Sequence, residues 1–262
     1  MKYPAVLLLL VILASISSCI PTKRLTYLQE TEQVNDSLIS VYQQQKPYRL
    51  QISDVLSIRV KALDQNLVEI FNPLGTANTQ LGEGFYYDGF AIDSHGNIRM
   101  PTLGEINVLG RTTEEVRMII EDRLLKDYFK KEANIFVTVK LAGIRYTIVG
   151  EIANSGIKNE FVERLSVLDA IANSGGVPLT GDLQDVVIIR KYPGGQRVHH
   201  VDLTTLDVMQ SPYYYIQPND LIVINPLPQK SLGAGTTGLD TFRTILTVLT
   251  TLTTTILLFT RL

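Results

Sequence analysis

The sequence predicts an α+β fold in two small units followed by an amphipathic C-terminal helix, and three observations carry that prediction. Apolar residues recur with period two in several short runs between residues 48 and 225. Only two stretches among them, after Thr112 and at Ser166, open with a helix cap. The final segment, residues 239–262, loses the alternation and takes up spacings of three and four.

Composition supports folded units with real cores. The chain has 262 residues, 45% hydrophobic and 19% charged, with one cysteine and no tryptophan. Its formal net charge is −2, so no global positive field exists to hold a phosphate backbone, and nucleic acid is not an expected partner.

The N-terminus reads as a secretory signal over residues 1–18: Lys2, then an apolar run from Pro4 to Ile16, then Ser17 and Ser18. The run is shorter than the roughly 20 residues a spanning helix needs. Cys19 has no partner for a disulfide inside the chain. Residues 19–47 are polar and Gln-rich and read as a tether with one short helix around Asp36–Gln44.

From Tyr48 the elements follow in order. Val55, Leu56, Ile58 and Val60 predict a strand, with Ser53-Asp54 turning into it from the run that holds Ile52. Residues 63–87 are loop-rich. Gly89–Asp93 and Asn97–Pro101 are expected to form a hairpin through Ser94-His95-Gly96. Thr112-Thr-Glu-Glu115 is a capping box, and Val116, Ile119, Ile120, Leu124 and Tyr128 give the helix after it one apolar face. Ile135, Val137, Val139 and Leu141 alternate along a half-buried strand.

The boundary between the units falls near Ala142. Arg145–Ile152 predicts a strand, and Ser166 caps a short helix that Gly175-Gly176 ends. Strands follow at Val186–Lys191, Arg197–Val201 and Leu221–Asn225. One segment echoes another: Tyr48-Arg-Leu-Gln-Ile-Ser-Asp54 can be laid on Tyr214-Tyr-Ile-Gln-Pro-Asn-Asp220, which predicts the same tight Asp turn used twice.

The usual nucleotide-binding, serine-hydrolase and zinc-protease motifs are absent, so no catalytic residue, cofactor or metal is assigned. His199 and His200 are adjacent on a strand and should point to opposite faces, which argues against a shared metal. Asp88, Asp93, Glu105, Asp182 and Asp185 could supply a glycosidase-like carboxylate pair, but they read as turn and surface acids.

The C-terminal segment carries most of the functional signal. A glycine-rich hinge at residues 226–238 precedes it. On a helical wheel Phe242, Ile245, Leu246, Leu249, Leu252 and Ile256 share one half, and Thr244, Thr247, Thr250, Thr251, Thr254 and Thr255 share the other. About 30 Å long at 1.5 Å per residue, such a helix matches a bilayer core. Its hydroxyl stripe suits an aqueous lumen better than lipid. Roughly eight copies about 10 Å apart would enclose a lumen near 15 Å, wide enough for a hydrated sugar chain. A tail packed on the protein's own core, or a helix lying flat in the interface, is the alternative.

Several stretches together resemble outer-membrane polysaccharide exporters of the Wza type. They are Tyr48–Val60, Asp93–Ile106 with Gly110–Glu115, Gly150–Ile152 with Asp169–Gly176, and Tyr215–Ile222. The resemblance implies an export domain at residues 48–141, a β-grasp domain of the SLBB type at 144–225, and a ring of subunits closed by a helical barrel from 239–262. It also implies lipidation of Cys19, at a lipobox-like Ile16-Ser-Ser-Cys19, an outer-membrane location with most of the chain periplasmic, and an inner-membrane chain-length regulator and tyrosine kinase complex as partner. Only one SLBB-like unit fits, so the periplasmic reach should be short. The expected role is a non-enzymatic conduit for capsular or exopolysaccharide; the alternative is a monomeric periplasmic lipoprotein that binds glycan without a pore.

Overall fold

The computed structural model describes residues 21–30, 47–72, 89–129, 134–192, 194–231 and 238–261. The expected signal peptide, Cys19, the short helix near Asp36–Gln44, Asp88 and residues 232–237 of the hinge lie outside these residues.

The first apolar core is built on a three-stranded antiparallel sheet. Strand β1 (Val55–Lys61) lies between β2 (Phe90–Ala91) and β5 (Phe136–Leu141), with Ile58 opposite Val139 and Val60 opposite Val137. The alternation read from sequence is what buries Leu56, Ile58 and Val60 on one face, while Ile52, before the turn, stays exposed. Helix α1 (Thr113–Asp127) covers that face with Val116, Ile120 and Leu124. Its start is fixed by the expected capping box: the Glu115 amide donates to Thr112 Oγ1 (3.2 Å) and the Thr112 amide to Glu115 Oε2 (2.8 Å).

The expected hairpin around Ser94–Gly96 is corrected. The chain does turn there, with the His95 and Asn97 amides donating to Asp93 Oδ1, but β2 pairs with β1. The partner of β3 (Asn97–Met100) is β4 (Gly104–Asn107), reached through a turn with Thr102 at φ 63° and Gly104 at φ 70°.

The second core sits on a five-stranded sheet. Its strands are β6 (Ile144–Gly150), β7 (Gly156–Glu160), β8 (Gly181–Tyr192), β9 (Gly195–Val201) and β10 (Leu221–Pro226), in the order β7-β6-β10-β8-β9. The first and last of these strands, β6 and β10, pair in parallel at the centre, and the other pairs are antiparallel. Helix α2 (Val167–Asn173) crosses one face, burying Val167, Ala170 and Ile171 against Tyr146, Ile148, Ile188 and Ile222. Gly175 and Gly176, both at φ above 80°, close it as expected, the Gly176 amide donating to Ile171 O. Strand β7 is an element that sequence periodicity misses.

The central parallel pair requires a glycine. Gly150 lies at φ 96°, and a Cβ there would come within 2.0 Å of the Ile224 carbonyl oxygen. Gly150→Ala should therefore force β6 and β10 apart and cost at least about 2 kcal/mol, through positive-φ strain plus the lost pairing. A lowered urea midpoint, with protection lost first at the Thr147–Gly150 amides, would show it.

Residues 21–30 are not a free tether, contrary to expectation. The Leu28 amide donates to Leu203 O (3.1 Å), and Gln29 bridges Thr205 in parallel, with Gln29 N to Thr204 O at 2.7 Å. Tyr27 and Leu28 pack against the second core. After β10, a short helix α3 (Pro228–Ser231) and the long helix α4 (Gly238–Arg261) complete the described chain.

Candidate functional site

Helix α4 is the first candidate, and the structure forms it over the expected residues. Thr244, Thr247, Thr250, Thr251, Thr254 and Thr255 are exposed, as is Leu246, and Leu249 is half-buried. The side chains of Phe242, Ile245, Leu252 and Ile256 lie outside the described residues. Among the described residues no helix is long and apolar enough to cross a membrane, so the expected C-terminal transmembrane helix is not found. Nine of its 24 residues are threonine, and their polarity dilutes an otherwise apolar stretch.

The hydroxyls of this helix bond back to its own carbonyls. Thr247 donates to Arg243 O (2.7 Å), Thr250 to Leu246 O (2.9 Å), Thr254 to Thr250 O (2.7 Å) and Thr255 to Thr251 O (2.6 Å). Thr251 donates to Thr247 O in the same way. Each hydroxyl thus spends its one donor within the helix and keeps only lone pairs to offer outside. The stripe is a weak acceptor surface, less demanding of water than free hydroxyls would be.

The base of the C-terminal segment is held by residues that sequence reading missed. Lys230 on α3 pairs with Glu151 just after β6, whose other oxygen accepts from Thr180 Oγ1 (2.6 Å), and the Leu227 amide donates to Thr180 O. The lysine ammonium holds the Glu151 carboxyl below the usual range.

The two echoed segments do adopt one geometry. In the first, the Gln51 amide donates to Asp54 Oδ2 (2.8 Å) and the Asp54 amide returns to Gln51 O (3.2 Å). In the second, the Gln217 amide donates to Asp220 Oδ2 (2.7 Å) and the Asp220 amide returns to Gln217 O (3.1 Å). The residue before each aspartate, Ser53 and Asn219, is left-handed at φ 74° and 66°. What differs is the remaining partner. Tyr48 donates its hydroxyl to Asp54 Oδ2 (2.7 Å), leaving Asp54 Oδ1 buried without a partner among the described residues. Asp220 instead meets Arg190, with Nε at 3.0 Å from Oδ1 and Nη2 at 2.8 Å from Oδ2; Nη2 also donates to Tyr215 O.

Burial raises the Asp54 carboxyl above the ordinary range, opposed by the Gln51 amide and the Tyr48 hydroxyl. The folded chain therefore holds this proton more tightly than the unfolded chain. The contribution favours folding below the unfolded value of about 3.9 and is lost as pH rises through the higher folded value. Asp54→Asn should flatten the dependence of stability on pH as pH rises above about 4. Urea midpoints of both proteins across that range check it, and parallel profiles would refute it.

The histidines point apart as expected. His199 stacks on Tyr213 (centroids 3.8 Å apart) and burial lowers its pKa, whereas exposed His200 pairs with Asp185. The candidate acids are engaged locally: Asp93 holds its turn, Glu105 accepts from Asn97 Nδ2 (3.4 Å), and Asp182 accepts the Gln184 amide (3.0 Å).

Residues 42–141, which contain the whole first core from the Asp54 turn through α1 to β5, match the family described as "Polysaccharide biosynthesis/export protein". Over 124 residues the chain is 26% identical to the polysialic acid transport protein KpsD of Escherichia coli, a match that takes in 46% of this chain and 22% of that protein. The chain therefore spans about a fifth of the length of that relative. The matched residues carry the first Asp turn; the Arg190–Asp220 pair, the second sheet and α4 lie beyond them. The matched family is one of export proteins, as the resemblance in the sequence implied.

Proposed function

We propose that the chain is one subunit of an outer-membrane conduit for capsular or exopolysaccharide, anchored through lipidated Cys19 and assembled as a ring. The match of residues 42–141 to an export family carries this reading. The division into an export domain, 48–141, and an SLBB-like β-grasp domain, 144–225, belongs to it. The second sheet supports that division: a helix over a mixed sheet whose first and last strands pair in parallel at the centre. KpsD is named as a polysialic acid transporter, which supports a charged capsular glycan as the cargo.

In this reading α4 works as one stave among several. A single copy is too threonine-rich to sit in lipid alone, whereas a closed ring turns Thr247, Thr251 and Thr254 to a common lumen and Leu246 and Leu249 outward. Hydroxyls already bonded to their own carbonyls make a lumen wall that holds a passing sugar chain weakly, which favours conduction over capture. Force for export comes from an inner-membrane chain-length regulator and kinase complex.

The absence of a sufficiently apolar helix among the described residues favours a second reading, a monomeric periplasmic lipoprotein that binds glycan. Extraction of the full chain in mild detergent, followed by sizing, separates the two. A large ring is expected, together with loss of surface polysaccharide when the gene is deleted. A chain that stays monomeric at high concentration defeats the conduit.

A further inference from the structure

Between the two cores lies a cleft of about 360 Å³, within the size range of small-ligand sites. One wall is the end of the five-stranded sheet on the face turned away from α2. Leu221 pairs with Thr147 on β6 and with Ile189 on β8. Stepping two residues toward the cleft on each strand places Arg145, Asn219 and Lys191 in one row across three neighbouring strands. The Asn219 amide donates to Arg145 O (2.6 Å), which fixes that row. The opposite wall is the first Asp turn, contributing Gln51 and Ser53. The two left-handed turns thus face each other across the opening.

The charge here is one-sided. Arg145 and Lys191 are exposed, and neither has an acidic partner among the described residues. No carboxylate lines the cleft. Asp54 and Asp220, the aspartates that close the two turns, are buried and bonded inward to Tyr48 and Arg190. What remains is two cations flanked by amide and hydroxyl groups able to donate and accept, a set suited to a sugar ring bearing an acidic substituent.

We propose that this cleft is a binding site for one acidic unit of a saccharide, with Arg145 and Lys191 holding its carboxylate and Gln51, Ser53 and Asn219 its hydroxyls. The inference rests on the export reading and adds a preference for charged glycan at a station before the α4 ring.

The test titrates the full-length protein in detergent with a tetramer of hexuronic acid, and separately with a neutral hexose tetramer, by calorimetry at low and high salt. The uronate should bind at least about tenfold more tightly than the neutral tetramer and weaken with salt, and Arg145→Gln/Lys191→Gln should lose about tenfold in affinity. Both side chains are exposed, so an unchanged urea midpoint is expected and certifies the fold of the double variant. Equal binding of the two tetramers, unchanged binding by the variant, or no uronate binding at millimolar concentration overturns the site. Restoration of surface polysaccharide by the variant in a deletion strain, alongside any of those results, leaves the export role standing. Failure of the wild-type gene to restore it removes that role as well.

Discussion

Arg190→Met should destabilise the second core by about 3–5 kcal/mol, because it strands the Asp220 carboxylate in a site where it has no solvent contact. The pair is buried on both sides, with side-chain exposures of 4% and 0%, and the guanidinium also satisfies Tyr215 O. Most of the loss therefore comes from orphaned polar atoms rather than from the attraction itself. Two measurements separate these contributions. Urea unfolding of Arg190→Met should show the full loss, and Arg190→Met/Asp220→Leu should recover a substantial part, since an apolar pair of similar volume often replaces a buried ion pair at little cost. A single variant as stable as wild type would mean that Asp220 gives up its charge without penalty.

The second large effect concerns α4. If α4 is a stave of the proposed ring, Leu249→Arg abolishes ring assembly and surface polysaccharide together, since an arginine facing hydrocarbon costs about 2.5–3.5 kcal/mol in every copy. Thr254→Ser, which keeps both the hydroxyl and its bond to Thr250 O, should leave sizing and export unchanged. Normal assembly and export with Leu249→Arg would reverse the assignment of faces.

How much of this was legible in sequence depended on the range of the interactions. Both long-lived signals of the soluble part, the caps at Thr112 and Ser166, are local: hydroxyl, amide and carboxylate sit within three residues, so four letters suffice. The alternation of β1 and β5 was equally readable because one face of each is buried. Strand β4 was not, since Gly104-Glu-Ile-Asn107 offers a single buried apolar residue, Ile106, and its partner is set by a turn with two positive-φ residues. Strand β7 lies at the sheet edge with Ile157 exposed, so it pairs through its backbone and leaves no apolar period.

The candidate sites divide the same way. The echo of Tyr48–Asp54 in Tyr214–Asp220 announced the repeated turn, because each turn is closed by its own aspartate. The echo could not announce Arg190, a charge just after the apolar run Val186–Ile189 whose partner lies 30 residues on. Nor could it show that the second turn exchanges the tyrosine partner for a guanidinium. The threonine stripe was visible, but the hydrogen bonds that mask its hydroxyls depend on rotamer and helix geometry, which hydropathy does not record.

The docking of residues 21–30 also sets a mechanical path. Leu28 and Gln29 join the second core beside Leu203 and Thr205, although the whole first core intervenes in the chain. A pull on the N-terminal end is therefore delivered to the second core, which carries α3 and α4, and reaches the first sheet only after that parallel bridge has sheared. Residues 47–141 thus form a loop between two points on the same body, and a load applied at residue 21 bypasses them.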